Sequence, residues 1–255
     1  MGLFFRARVK DERHTKHRRG LGVVLVFAAL ALASACAGVS AAAREDVPGD
    51  WKALVAASEK ELEGSSQCLL VVNDEASSPA AKVHALERRE GVWRSAFPSM
   101  KAMIGKNGFA PPGAKREGDG RTPSGVFPLG TAFGYDPYVE TRMPYRQATA
   151  EDVWVDDPEA VDYNRWVKKG QTKAASFEIM RREDHLYRYG IVIEYNTDPV
   201  VKGHGSAIFF HVWLHSSEST HGCVALSEDN MRRVLRWLEP EAKAAAVMGS
   251  VKDKR

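Results

Sequence analysis

Residues 206–231 read SAIFFHVWLHSSESTHGCVALSEDNM, which places His211 near the end of an apolar run and Cys223 twelve positions later, behind a polar loop. A thiol attacks a carbonyl as its thiolate. A histidine within hydrogen-bond reach takes its proton or pairs with the thiolate, lowering the pKa from about 8.5 into a range of roughly 3.5 to 7.5. Gly222 removes a side chain where a substrate must come close. The backbone N–H groups around Gly222 and Cys223 are candidates for an oxyanion hole. The chemistry on offer is acyl transfer through a thioester. The competing reading makes Cys223 half of a structural disulfide with Cys68, because only these two cysteines follow Cys36.

The other polar groups offer less. His221 adjoins the nucleophile candidate, which suits positioning better than proton transfer, and His204 and His215 sit in loops. GDGRTPSG (118–125) lacks the Gly-Lys-Ser/Thr ending of a phosphate-binding loop and reads as two turns leading into a strand. Asp156, Asp157 and Glu159 lack the glycine-spaced oxygen ligands of a calcium loop. Two cysteines do not make a zinc site. No metal and no cofactor are expected.

These groups need elements to carry them. From Cys68 onward the apolar runs are short and rich in Val, Ile, Phe and Tyr: CLLVVND, KVHALERREGVWRSAF with a turn at Glu90-Gly91, MKAMIG, VFPLGTAFGY, FEIMRR, GIVIEYN and SAIFFHVWL. Gly, Pro and Asn punctuate them, so the fold class is mostly β. His211 lies near the end of a buried strand and Cys223 just ahead of a helix over 227–238. There Ser227 is the N-cap, Glu228 and Asp229 fill the first turn, and Met231, Val234, Leu235 and Leu238 form one stripe. A second helix is expected over 157–169.

The formal charge is +3, but residues 1–20 hold seven Lys/Arg against two Asp/Glu, which is +5 and leaves −2 for the rest. The folded body therefore has no basic footprint for nucleic acid. The basic segment precedes the uncharged run LGVVLVFAALALASA (21–35), which ends in small residues. This is the pattern of an export signal. Cleavage, lipid attachment at Cys36 and retention as a membrane anchor are its three outcomes. The expected organisation is an export signal (1–35), a tether with a short helix (36–66), a catalytic domain (67–240) and a C-terminal tail (241–255).

His211 followed by Thr220-His221-Gly222-Cys223-Val224 resembles the signature of the L,D-transpeptidase catalytic domain of YkuD type. IGKNGF (104–109), KREGDGRTPSGVFPLG (115–130), VDDPEAVDYNRWV (155–167) and IEYN (193–196) agree with a secreted branch of that family. The similarity runs from about Cys68 to Leu238. It implies a β-sandwich-like fold and acyl transfer on peptidoglycan stem peptides. It makes Cys223 the nucleophile and His211 the base, with Thr220, His221 and Gly222 shaping the oxyanion pocket and Tyr195 and Asn196 lining the cleft. Ala225 stands where many relatives carry arginine or asparagine, and the loop before Thr220 is short. With water as acceptor the same site is an L,D-carboxypeptidase. With the thiol tied to Cys68 the chain is a non-catalytic wall-binding module. The location implied is the periplasm or cell envelope.

Intact-mass analysis of the exported protein is expected to find a start between Cys36 and Ala42 and no lipid. A lipid mass that disappears in Cys36→Ser would identify a lipoprotein instead.

Overall fold

The computed structural model describes residues 49–251, with side chains from Lys52 onward. The leader and Cys36 lie outside the described residues. Contacts divide the chain into 1–40 and 41–255, and everything below concerns the second unit.

Eight strands form its frame: β1 (Gln67–Asn73), β2 (Ala80–Arg89), β4 (Met100–Met103), β5 (Gly125–Gly134), β10 (Tyr189–Ile193), β11 (Phe209–Val212), β12 (Val224–Leu226) and β13 (Ala245–Ser250). They pair in the order β1-β13-β5-β10-β11-β12-β4-β2, and β2 pairs with β1 as well, so the path returns to its start. The fold is mostly β, as expected. The two faces of a sandwich are joined here through β2, which serves β4 and β1 together. Strand β3 (Val92–Ser95) extends β2 through the turn at Glu90-Gly91, whose φ values of 52° and 77° suit a two-residue hairpin. Strand β6 (Tyr145–Gln147) pairs with β5.

Alternation along the strands decides what the ring encloses. Leu69, Val71, Val83, Ala85, Ala102, Leu129, Ile191, Ile193, Phe210, Val212, Val224, Leu226, Ala246 and Met248 form one buried cluster. Most sit two residues apart on their strands, as one face of a pleated strand requires. Helix α2 (Glu228–Trp237) adds Met231, Val234 and Leu235, with Leu238 just beyond its end. Its start is the one expected: Ser227 Oγ accepts the Asn230 N–H at 3.3 Å.

The opposite phase of these strands faces two outer clusters. Cys68, Leu70, Val72, Ala245 and Val247 pack with Val55 of α1 (Gly49–Ala57) and with Leu62. Phe133, Val192, Phe209 and Cys223 pack beneath a separate three-stranded sheet. That sheet is β8 (Trp166–Lys168), β7 (Asp152–Val155) and β9 (Phe177–Ile179), with β7 in the middle. Fully buried Asp152 binds it to the frame, accepting from Arg146 at 2.8 Å, Lys168 at 2.9 Å and Trp166 Nε1 at 2.9 Å, with the Thr149 N–H and hydroxyl.

Three sequence expectations change. Residues 245–250 of the expected tail form a strand buried on both faces, parallel to β1 and antiparallel to β5. Ala245, Ala246 and Gly249 carry little strand propensity, and full burial removes the polar alternation that marks a strand. The tether belongs to the domain, since Leu62 is fully buried in the second cluster. The helix expected over 157–169 is a series of turns followed by β8. Asn164 at φ +57° ends the turns, and Trp166 pairs with Trp154.

Removing residues 244–255 takes a central strand from the frame and leaves β1 and β5 without a neighbour between them. The truncated chain is expected to lose its cooperative thermal transition by circular dichroism. A retained transition would show that β13 is dispensable.

Candidate active site

Strand phase brings His211 and Cys223 to one face. Phe210 and Val212 point into the ring, so His211 points out beside Phe209. Across the parallel pairing Phe210 meets Val224 and His211 meets Ala225, which puts Cys223 and Ala225 on the same outer face. A cleft of about 270 Å³ opens there, lined by both residues and by Gly222, Thr220 and the exposed His221.

The Cys223 thiol is held by backbone on two sides. Sγ donates to the Ala207 carbonyl at 3.2 Å and accepts the Phe209 N–H at 3.4 Å. Ala207 takes a left-handed conformation, φ +53°, rare for a residue with a Cβ. Asn164 fixes it there: its Oδ1 accepts the Ala207 N–H at 3.1 Å and Trp154 Nε1 at 2.7 Å. Asn164 Nδ2 donates to the carbonyls of Tyr195 and Asn196 at 3.1 and 2.6 Å. One buried amide thus ties the turn before β8, the end of β10 and the approach to β11 together.

Burial pushes the Cys223 thiol up to about 12, and the negative charge of Glu178 adds to this against smaller opposing effects of the Phe209 N–H, Lys115 and Arg182. Burial also lowers His211 to about 4. Its Nδ1 lies 2.7 Å from the Val212 carbonyl. A carbonyl only accepts, so Nδ1 carries the proton and Nε2 keeps its lone pair. The resting pair is a neutral thiol and a neutral imidazole in the tautomer a base requires.

The loop ahead of Cys223 is tied down by hydroxyls. Thr220 Oγ1 donates to the Cys223 carbonyl at 2.7 Å and accepts the Gly222 N–H at 3.1 Å. The Thr122 hydroxyl donates to the Gly222 carbonyl at 2.8 Å and accepts the Gly105 N–H at 2.9 Å. Thr122 is fully buried and belongs to the GDGRTPSG segment, whose Asp119 side chain accepts the Arg116 and Arg121 N–H groups at 2.8 Å. The two turns expected there serve the site by delivering Thr122 under the loop that carries Gly222 and Cys223.

Gly222 differs from expectation in its reason. Its φ is +151°, and a Cβ there would meet the Arg121 carbonyl at 3.0 Å and Ile208 Cδ1 at 3.1 Å. The protein's own backbone demands glycine at this position. Because the Gly222 N–H is taken by Thr220, it is not a free oxyanion donor.

Tyr195 and Asn196 do not line the cleft. The Tyr195 hydroxyl donates to the His204 carbonyl at 2.6 Å, and the Asn196 side chain closes the 196–205 turn through Val201 and Gly205. They brace the approach to β11. Cys68 and Cys223 are both free thiols in different core clusters, so the disulfide reading is corrected. Asp157 accepts the Glu159 and Ala175 N–H groups. Among the described residues no three His, Cys, Asp or Glu side chains gather as a metal site.

Sequence reasoning missed one wall of the cleft. Glu178, Arg182, Asp184 and Tyr187 line it. Arg182 binds Asp184 through Nε and Nη2 at 2.9 and 2.6 Å, and its guanidinium stands 5.3 Å from the Tyr187 ring. The Tyr187 ring meets His211 edge-on at 5.3 Å. The charged run RREDH (181–185) was the available signal, and alone it reads as a solvated turn.

Buried His211 gives stability a sign with pH. An unfolded histidine titrates near 6.5, so between about 6.5 and 4 the unfolded chain binds a proton that the folded chain refuses. Stability is full above that window and falls as pH drops through it, with His84, also lowered to about 4, acting in the same direction. His211→Gln is expected to flatten the dependence of the urea midpoint on pH in this range. An unchanged slope would place the imidazole in water.

A family model of the L,D-transpeptidase catalytic domain matches residues 78–247. No curated protein and no solved structure matches the chain.

Proposed function

Because the chain belongs to the L,D-transpeptidase catalytic domain family, whose members act on peptidoglycan stem peptides, we propose that it is an exported cysteine acyltransferase of the cell envelope with Cys223 as nucleophile and His211 as base. The observation that carries this reading is the pair itself. Both side chains stand on one outer face, line one cleft, and are neutral, with Nδ1 of His211 committed to the Val212 carbonyl.

The donor is a tetrapeptide stem, attacked at the carbonyl of its third residue. As sulfur bonds to that carbon, the Sγ proton passes to His211 Nε2. The oxyanion forms beside the loop 220–223, where the Cys223 and His221 N–H groups are the candidate donors. His211 then protonates the departing amine, the C–N bond breaks and D-alanine leaves a thioester on Cys223. Attack by an amine of a second stem completes transpeptidation, and attack by water gives the tripeptide. Amine transfer is favoured because an amine bound and oriented against the thioester has a high effective concentration. Attachment of the protein to the membrane would run through the leader or Cys36.

Mixing the enzyme with a purified tetrapeptide muropeptide is expected to give a covalent adduct at Cys223 by intact mass. Cys223→Ala abolishes turnover, and His211→Ala lowers it by about 10²- to 10⁴-fold with the fold intact. Unchanged activity in His211→Ala would remove this residue from the mechanism. Tripeptide as the only product, even with a second stem present, would leave a carboxypeptidase.

A further inference from the structure

From the arrangement of the cleft wall beside His211 we infer that Glu178 receives the ammonium group of the acyl acceptor; this rests on the acyltransferase reading above. The departing amine and the arriving amine occupy the same place on the acylated carbonyl, because the second half of the reaction retraces the first. That place lies within reach of His211 Nε2, which serves both. The groups around His211 therefore form the acceptor wall.

Tyr187 is in contact with His211, and Glu178, Arg182 and Asp184 line the same cleft, Glu178 tied directly to Tyr187. Tyr187 packs its ring against His211 and donates its hydroxyl to Glu178 Oε2 at 3.0 Å. Arg182 Nη1 reaches the same oxygen at 3.4 Å. Glu178 Oε1 takes no hydrogen bond from the described residues, and the side chain keeps 28% of its surface exposed. Asp184 differs: both its oxygens accept from Arg182, and Oδ1 also accepts the Leu186 N–H. Glu117 also lines the cleft and is held by Ser206 at 2.7 Å and by Tyr163. Asp156 follows β7 on the sheet in which Trp154 pairs with Glu178, and it has an unpartnered buried oxygen, Oδ1. Of these carboxylates it is Glu178 that accepts the hydroxyl of Tyr187, whose ring packs against His211.

The charge of Glu178 is felt at the Cys223 sulfur, where it disfavours a thiolate. Its charge favours an ammonium group beside the thioester, against the smaller opposing charges of Lys115 and Arg182. An amine bound there keeps two advantages over water: a charge-assisted hydrogen bond and a fixed position against the carbonyl. The protons balance. Of the three on the ammonium, one is lost to solvent before attack, one stays on the new amide, and one passes through His211 to the sulfur as the C–N bond forms and the C–S bond breaks.

Glu178→Gln keeps an oxygen for the Tyr187 hydroxyl and removes only the charge. The full-length enzyme is given tetrapeptide donor with either a second tetrapeptide stem or hydroxylamine, which is uncharged at neutral pH. Cross-linked product, hydroxamate and tripeptide are separated by mass. In Glu178→Gln the ratio of cross-linked product to tripeptide is expected to fall by about tenfold or more, while the ratio of hydroxamate to tripeptide holds. Equal falls with both nucleophiles would mean a positional defect and overturn the inference. So would a slowed acylation with an unchanged ratio, which would assign Glu178 to the donor. An equal fall in Asp156→Asn would also overturn it, as a general effect of cleft charge. Absence of any Cys223 adduct in the wild type would sink the acyltransferase reading and this inference together, whereas an adduct with an unaltered ratio would sink this inference alone.

Discussion

The interior of a closed ring of strands is apolar, so each strand has one phase committed before any chemistry is placed on it. On β11 that phase belongs to Phe210 and Val212, and on β12 to Val224 and Leu226. The residues between them face outward by necessity. Parallel pairing in this register sets His211 opposite Ala225, with Cys223 one step before the strand on the same face. A slip of one residue would bury the imidazole among aliphatic side chains and turn Phe210 toward the cleft. The fold thus positions His211 and Cys223 through hydrophobic burial alone, and polar contacts refine what the phase has set.

That refinement works through backbone geometry. The Ala207 carbonyl is aimed at Sγ because Asn164 holds the Ala207 N–H while the residue sits at φ +53°. A left-handed alanine costs about 1–2 kcal/mol, and the buried amide that holds it makes four hydrogen bonds. On the other side Thr122 and Thr220 occupy the carbonyls of Gly222 and Cys223. Fixing both carbonyls fixes the peptide planes around the nucleophile. The Gly222 N–H is spent in doing so.

Much of this was legible in the sequence for physical reasons that can be named. Phe209 to Val212 reads as a buried strand because its residues are large and branched or aromatic, and α2 announces itself through Ser227, Glu228 and its apolar stripe. Strand β13 stayed hidden because Ala245, Ala246 and Gly249 are small and both faces are buried, which erases the period of two. The Cys–His pair was visible from residue types and spacing. Asn164, Thr122 and Glu178 were not, since they lie 59, 101 and 45 positions from Cys223 and reach the site only through tertiary pairing. Tyr195 and Asn196 were misplaced for the converse reason. They stand at the end of a strand that borders the site, but their side chains turn toward the 196–205 loop.

The electrostatics of the resting pair set what the proposed acyl transfer would require. With the thiol at about 12 and the imidazole at about 4, proton transfer from sulfur to nitrogen is uphill in the empty site. In the proposed mechanism a thiolate–imidazolium pair would therefore form only in company with the developing oxyanion, whose charge the N–H groups of the 220–223 loop would meet. Interactions of that kind exist in the transition state and not before it, so their free energy lowers the barrier without holding the substrate more tightly. The neutral state also lets two ionisable groups share a face with Phe209 and Trp154, because no standing charge has to be desolvated there. The same burial that stabilises the outer cluster keeps the Cys223 thiol protonated.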